Sequence, residues 1–521
     1  MFVIVLSCVA LLLFTLFLPT AFKVQAANFD LTGSCLGGVG DVAALIAAIN
    51  AANGNGEADT ITLAEGCVYT LDEIDNATDG NNGLPSITSA IVIQAGSAGS
   101  TIRRDVADPD EFRLFHIADD GDLTLENLTL QHGVADEGGA IYNAGGVLTL
   151  NNATIADNAS IARGGGIATY GALTINDSTL TRNSCPDNFG GGGLYAGGGG
   201  DAADSLVTIH RSVFADNVGY EGGGIATRQD GGFPVLLTIH DSTFSGNQAT
   251  GQWGSGGGVS SNGDLSIAGS TFVSNTATSA DGTGGGGLAH INGTAWITNS
   301  TFSGNRSATD GGGIYFRDMA MTLSYATIAY NTADSDNDGV GGGGVYIADW
   351  GGTFNVASTL IAHNTDRSGQ GPDCFTIDGS VTPLTSQGYN LIQNDTGCTI
   401  AGDTTGNLTG SDPLIGTAQD NGGPTWTHAL LIGSPAQDRV PNGTNGCDTT
   451  ITSDQRGTAR PQPAGGACDS GAYESPPTYI ITPTAGAGGS LTPGTPQTVA
   501  HGGSQAFTIA ANVGYHIADV G

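Results

Sequence analysis

Apolar and polar residues alternate along this chain in a block of eleven that keeps its length while the spacing between blocks changes. It reads LTLNNATIADN (148–158), LTINDSTLTRN (173–183), VTIHRSVFADN (207–217) and LTIHDSTFSGN (237–247). It continues as LSIAGSTFVSN (265–275), AWITNSTFSGN (295–305), MTLSYATIAYN (321–331) and FNVASTLIAHN (354–364). An earlier copy, LTLENLTLQHG (123–133), keeps the apolar pattern and ends in glycine. The third position is always aliphatic, from Leu150 to Val356, and the eighth is aliphatic or Phe. The eleventh is asparagine in all eight: Asn158, Asn183, Asn217, Asn247, Asn275, Asn305, Asn331 and Asn364.

Period-two alternation within each block predicts two short strands. Between blocks, a glycine cluster capped by an apolar residue, as in GGAIY (138–142), GGGIA (164–168), GGGIY (311–315) and GGGVY (342–346), leads into a third strand. One such coil cannot bury its inward side chains alone. Stacked coils can, at about 4.8 Å per coil, with like residues above like. The predicted fold is an all-β, right-handed parallel β-helix with insertions carried as external loops.

That register places Phe214, Phe244, Phe272 and Phe302 in one internal aromatic column. It also turns the asparagines inward at a tight corner, in left-handed conformation and hydrogen-bonded coil to coil. Thr, Val, Ile and Phe favour strands in these blocks. The exception is DVAALIAAINAAN (41–53), a predicted helix before the strand ADTITL (58–63), which caps the N-terminal end of the solenoid.

Composition narrows the function. The 86 glycines show no collagen period, and the net charge is -35. The only lysine is Lys23. Such a surface repels nucleic acid and anionic lipid, and it disfavours polyanionic sugars unless a divalent cation bridges them. Residues 2–18 form an apolar run followed by Val24-Gln25-Ala26, the pattern of a signal peptide over 1–27. Export follows as an expectation, with no membrane-spanning region in the mature chain, and so do disulfides. Proximity in sequence suggests Cys35–Cys67, Cys374–Cys398 and Cys447–Cys468, with Cys185 free. The expected organisation is an N-terminal cap (28–63), the β-helix (64–387), a C-terminal region (388–475) and a partial β-repeat module (476–521).

Three resemblances accompany this reading. The Gly-Gly-Ala/Gly-Ile and Phe-x-x-Asn elements (Phe214–Asn217, Phe244–Asn247, Phe272–Asn275, Phe302–Asn305) resemble repeats of the polymorphic outer-membrane protein family over roughly 120–365. Those are surface-exposed β-helix proteins, many implicated in adhesion; no C-terminal membrane barrel pattern follows here. Residues 33–63 resemble a degenerate CSLREA module, with Cys35 kept. In 388–474, GYNLI, DPLIGTAQDNGGPTWTHALLIGSPAQD, SDQRGTARPQ and ACDSGAYE resemble the choice-of-anchor Q domain of exported bacterial proteins. Gln437-Asp438-Arg439 replace its usual small residues. The resemblance implies a region that closes a β-helix ahead of varied surface anchors. Beyond Pro476–Pro477 the chain resembles the start of a bacterial extracellular β-repeat that stops in mid-module, so an anchor is expected outside this sequence.

No catalytic set is recognisable. A lyase of acidic sugars needs a basic or cationic clamp and a Lys or Arg base, yet Arg163, Arg182, Arg211, Arg228, Arg306 and Arg317 fall at different block positions. A glycosidase needs two carboxylates about 5–10 Å apart; Asp157 and Asp216 share a block position, with Arg182 on the coil between. His210 and His240 share an outward position beside Asp241, a pair that could hold a metal. Asp334, Asp336 and Asp338 copy the opening of a calcium loop, with Val345 where the bidentate glutamate belongs. They are the candidate metal ligands, calcium the only candidate cofactor. The expectation is a non-enzymatic secreted or cell-surface protein for adhesion or glycan contact. Neutral glycans or surface proteins would bind its long insertions (184–206, 218–236, 248–264, 276–294, 332–353), which carry Tyr220, Trp253 and Trp350. The alternative is a polysaccharide lyase or glycoside hydrolase on the same scaffold.

Overall fold

The computed structural model describes residues 26–198, 205–229, 234–279, 283–335, 341–348, 351–377 and 382–518. The chain winds into a right-handed parallel β-helix. One coil shows the plan: Val147–Asn151 in a first sheet, Thr154–Ala156 in a second, Ala159–Arg163 in a third and Ile167–Thr169 in a fourth. The sheets contain 14, 15, 9 and 10 strands, so each coil has four sides where the periodicity predicts three. The extra strand follows the asparagine and shrinks to two residues in Ser184–Cys185 and Val218–Gly219, too short to leave a periodic signal.

Register is kept without slip through the repeat. Leu150 pairs Ile175, which pairs Ile209, then Ile239, Ile267, Ile297, Leu323 and Val356, all buried. The phenylalanine column forms as predicted, with consecutive centroids 4.9, 4.7 and 4.6 Å apart and rings within 12° of parallel.

The asparagine column is an internal ladder. Asn217, Asn247, Asn275, Asn305 and Asn331 each donate from Nδ2 to Oδ1 of the next at 2.9 Å. The second amide hydrogen goes back to a main-chain oxygen, as from Asn247 to Phe214 at 2.8 Å. Main-chain N–H groups supply the remaining acceptor bonds, as from Asn217 to Oδ1 of Asn247 at 3.1 Å. A buried amide with all four bonds made carries no desolvation penalty into the core. At the corner between the first and second sheets, the backbone N–H groups of Ser178, Ser212 and Ser242 each donate to the next serine hydroxyl at 3.1 Å.

One expectation is corrected. The asparagines are not the left-handed residues. The positive φ falls one position earlier, at Asp157 (58°), Arg182 (53°), Asp216 (55°), Ser274 (56°), Tyr330 (61°) and His363 (57°), with Gly246 and Gly304 between. An inward amide has to stay in extended backbone, so the sharp bend moves to a residue whose side chain points outward. Between the third and fourth sheets the bend is tighter still. A Cβ on Gly223 would lie 2.2 Å from the Gly257 carbonyl oxygen, which explains the glycine cluster.

At the N-terminal end, helix α1 (Val42–Asn53) starts on an Asp41 cap whose carboxylate accepts from Ala44 N at 3.0 Å. It buries Leu45, Ala48, Ile49 and Ala52 against the first coils. The sheets extend beyond 64–387 on both sides. Asn28–Leu31 already pairs Asp59–Leu63, and the second sheet runs to Leu408–Thr409. Residues 384–394 (LTSQGYNLIQN) are a further, irregular block: Leu384 pairs Phe354, but after one extra residue Leu391 pairs Leu360 and Ile392 pairs Ile361.

Residues 411–475 follow the last coil. They turn back as an arm along the outer face of the second sheet. The Thr271 hydroxyl donates to the Trp426 carbonyl and that of Thr301 to Gln455 Oε1, both at 2.6 Å, while Ala472 N donates to the Thr327 hydroxyl at 2.9 Å. Ile415, Leu430 and Ala436 pack on Ala329, Leu360, Ala362 and Leu391. The arm is tied internally by Cys447–Cys468 and by Arg460–Glu474, a 3.2 Å ion pair buried on both sides. Cys35–Cys67 and Cys374–Cys398 are also joined, and Cys185 is buried and free. Residues 478–511 form two antiparallel strand pairs. No described helix is long and apolar enough to cross a membrane.

Candidate functional site

The fourth sheet faces outward through the middle residue of each short strand. Register stacks His116 on Tyr142, then Ala168, then Tyr195. Small Ala168 leaves room above it, and the Tyr170 ring lies 5.8 Å from Tyr142 and 6.1 Å from Tyr195. His116 stacks on Tyr142 at 5.8 Å. The result is a run of four rings along the solenoid, of which Tyr142 and Tyr170 are partly exposed and His116 and Tyr195 are buried.

Two arginines lie against this run. The Arg113 guanidinium is 4.8 Å from the Tyr142 centroid and donates to the carbonyls of Asp79 (2.9 Å) and Glu137 (3.1 Å). Arg163 sits 5.8 Å from Tyr170 and 5.1 Å from Tyr195 and donates to the Tyr170 hydroxyl. That hydroxyl donates to Glu137 Oε2 at 3.0 Å, and Arg163 is 3.7 Å from the same carboxylate. Beside the run opens a cleft of about 220 Å³ lined by Gly80, Asn81, Glu111, Arg113, Ala135 and Asp136. In the next coil Arg228 lies 4.2 Å from the Phe189 ring and 3.3 Å from Glu221, with Tyr220 edge-on to Phe189 at 5.9 Å.

Burial and neighbouring charges shift the ionisation of these groups. Burial, reinforced by Glu137 and Asp79, pushes the Tyr142 phenol up to about 12. Burial and then Glu137 raise Tyr170 further. Burial works to lower Arg163, but its hydrogen bond to Tyr170 and the surrounding acids hold it above its ordinary value. Burial lowers His116 despite Asp79 at 3.1 Å. Near neutral pH Tyr142 and Tyr170 are therefore neutral phenols, and Arg163 keeps its charge.

Of the residues singled out from sequence, Arg163 lies in this band, and Arg228 and Tyr220 meet around Phe189 on the next coil. Period-two alternation did not reveal it, because Tyr142 and Tyr195 follow glycine clusters and Tyr170 lies after its strand. The tyrosine ending GGAIY and GGGLY was the available signal. Arg182 instead grips Asp157 at 2.7 and 2.8 Å, and Arg211 grips Asp177 at 2.7 Å twice. The Arg182 hydrogen bonds lower Asp157, which makes it a poor general acid. His210 and His240 stack at 5.0 Å and 9°; parallel rings keep their lone pairs in parallel planes and do not converge on one ion. Asp334 is buried with φ of 48°, while Asp336, Asp338 and Trp350 lie outside the described residues. Val345 is a core residue of the fourth sheet. Trp253 begins a short strand, Trp253–Gly256, paired with Thr283–Gly285. Among the described residues no three His, Cys, Asp or Glu side chains are grouped to hold a metal.

A second groove, of about 590 Å³, lies where the asparagine ladder ends. There Asn364 donates to Asp373 Oδ1 at 2.9 Å and Asn394 N to Oδ2 at 2.7 Å. Burial pushes the Asp373 carboxyl up to about 6. Tyr330 stacks on His363 at 4.9 Å beside it.

Comparison with known proteins bears on the repeat and the fold. Residues 299–317 match the Chlamydia polymorphic membrane protein (Chlamydia_PMP) repeat, the stretch holding Phe302, Asn305 and the glycines before Tyr315. No curated protein sequence matches the chain. Among solved structures, pectate lyase Pel9A is similar at 14% identity over 82% of this chain and 90% of that one, with a TM-score of 0.34. Tailspike protein 3 of bacteriophage CBA120 is similar at 14% identity over 73% of this chain and 61% of that one, with a TM-score of 0.38.

Proposed function

We propose that this chain is an exported, surface-displayed β-helix protein that contacts neutral glycans without cleaving them, using the aromatic band of the fourth sheet. The observation that carries this reading is the Arg163–Tyr170–Glu137 cluster. Its guanidinium is already spent on two ring faces and a carboxylate, so an incoming uronate would have to displace Glu137. A neutral sugar faces no such competition. The partly exposed rings of Tyr142 and Tyr170 offer faces to a pyranose, backed by the buried Tyr195 and His116, and neighbouring Glu137, Asp136 and Asn81 can accept or donate hydrogen bonds to hydroxyls. The Tyr142 and Tyr170 phenols are both raised, which makes them poor general bases near neutrality. Three disulfides suit an oxidising compartment, and the polymorphic membrane protein repeat suits a surface location. A glycan array with the full chain, run beside polysaccharide turnover assays, tests the reading. Binding to neutral glycans without turnover supports it. Cleavage of a polyuronate that vanishes in Arg163→Gln assigns a lyase instead.

A further inference from the structure

The arm covers only part of the second sheet's outer face. Thr271, Thr301 and Thr327 are buried beneath it, and their hydroxyls are matched by uncharged groups alone: a carbonyl, an amide side chain and a backbone N–H. The same column continues without cover through Thr101, Thr129, Thr154, Thr179, Val213 and Thr243, each partly exposed and each paired in register with the next. Its edges carry Arg182–Asp157 and Arg211–Asp177, ion pairs that neutralise themselves, with Asp216 and Asp241 one coil on from the two arginines and Arg103 on the first coil. In a chain of net charge -35 this strip is close to neutral. Trp426, 49% exposed, stands at the seam, its carbonyl on Thr271 in the coil after Thr243.

We infer that this strip is a second binding site, whose ligand is an uncharged, extended β-linked glycan lying along the solenoid axis. The geometry excludes broader occupants. Six coils span about 24 Å and one three-residue strand about 10 Å, an area of roughly 250 Å² against the ~800 Å² per partner of a stable protein interface. A second copy docked flat would not be held. An extended polypeptide also fails to track the column, since its side chains on one face recur every ~6.6 Å against ~4.8 Å per coil. The arm itself illustrates this, because it needs three separate segments, at Trp426, Gln455 and Ala472, to reach three consecutive threonines. A β-linked pyranose chain has a unit length close to one coil and offers hydroxyl donors and acceptors at every unit. The Trp426 indole supplies a stacking surface for the sugar at the seam.

Calorimetry on the full chain with β-1,4-linked oligomers of glucose, xylose and N-acetylglucosamine, two to six units long, tests this strip. At least one series is expected to bind with affinity rising with length up to the hexamer. Thr154→Val with Thr179→Val keeps the β-branched shape while deleting two hydroxyls, and should weaken the hexamer about tenfold or more. Trp426→Ala should weaken it comparably, with unchanged melting curves as the check on folding. Tyr142→Ala, in the aromatic band, should leave this length-dependent binding in place. That separates failure of the strip from failure of the band. Absence of binding by all three hexamers overturns the proposal. So does hexamer binding that is indifferent to the threonine pair but lost in Tyr142→Ala.

Discussion

Asn247 and Asn275, 28 residues apart in sequence, are joined by a buried amide–amide hydrogen bond of 2.9 Å. The same Asn275 oxygen accepts the main-chain N–H of Asn247 at 3.1 Å. Each asparagine thus fixes side chain and backbone of the coil before it, and the corner holds its shape although insertions of different length enter elsewhere.

Asn275→Ala would strand donors on Asn247 and the Asn305 acceptor that Asn275 served. Unsatisfied buried groups cost about 1–3 kcal/mol each. The variant should lose about 2–4 kcal/mol in urea unfolding, and a loss below the noise would show that the ladder does not carry the corner.

Phe272 stacks between Phe244 and Phe302. Phe272→Ala should cost about 3–5 kcal/mol, and Phe272→Leu clearly less. Both can be followed by the same unfolding curves.

The ladder ends on a carboxylate because its last position needs acceptors only, one for Asn364 and one for Asn394 N. The Asp373 pKa stands at about 6, above its ordinary 3.8. A folded-state pKa raised above the unfolded one means that the folded chain holds the proton more tightly. This contribution is therefore most favourable below pH 4 and is lost as pH rises to about 6, by about 3 kcal/mol. Glu474, raised to about 7 by burial and then by Asp469, acts in the same sense. Stability measured from pH 4 to pH 7 should fall, and Asp373→Asn should flatten the lower part of that slope.

Gln455 ties the arm down with Nε2 bonds to Thr271 (2.8 Å) and Thr425 (2.9 Å) and by accepting from Thr301. Gln455→Ala should loosen residues 411–475. Limited proteolysis should then cut within the arm before the solenoid, whereas the unaltered chain resists there.

How much of this was legible in sequence follows from what repeats. Leu150 to Val356 and the eight asparagines recur at fixed offsets, so the coil, its register and both internal columns were readable. The disulfide pairs followed from proximity. The third sheet escaped because two residues carry no period, and the left-handed corner was displaced because an inward amide and a sharp bend cannot share one residue. The block at 384–394 was hidden by its departures: Gly388, one extra residue between its two strands, and the transfer of the ladder position to Asp373. The aromatic band escaped for a different reason. Glu137 and Arg163 are partners on adjacent coils of the third sheet, Tyr170 follows a strand of the fourth, and only the winding brings them together.

The most direct test is titration of the full chain with neutral and uronic acid oligosaccharides, with product analysis on the same samples. The account predicts binding of a neutral glycan, no cleavage of either class, and about tenfold or greater weakening by Tyr142→Ala together with Tyr170→Ala. Cleavage of the uronic acid chains, abolished by Arg163→Gln, would contradict it.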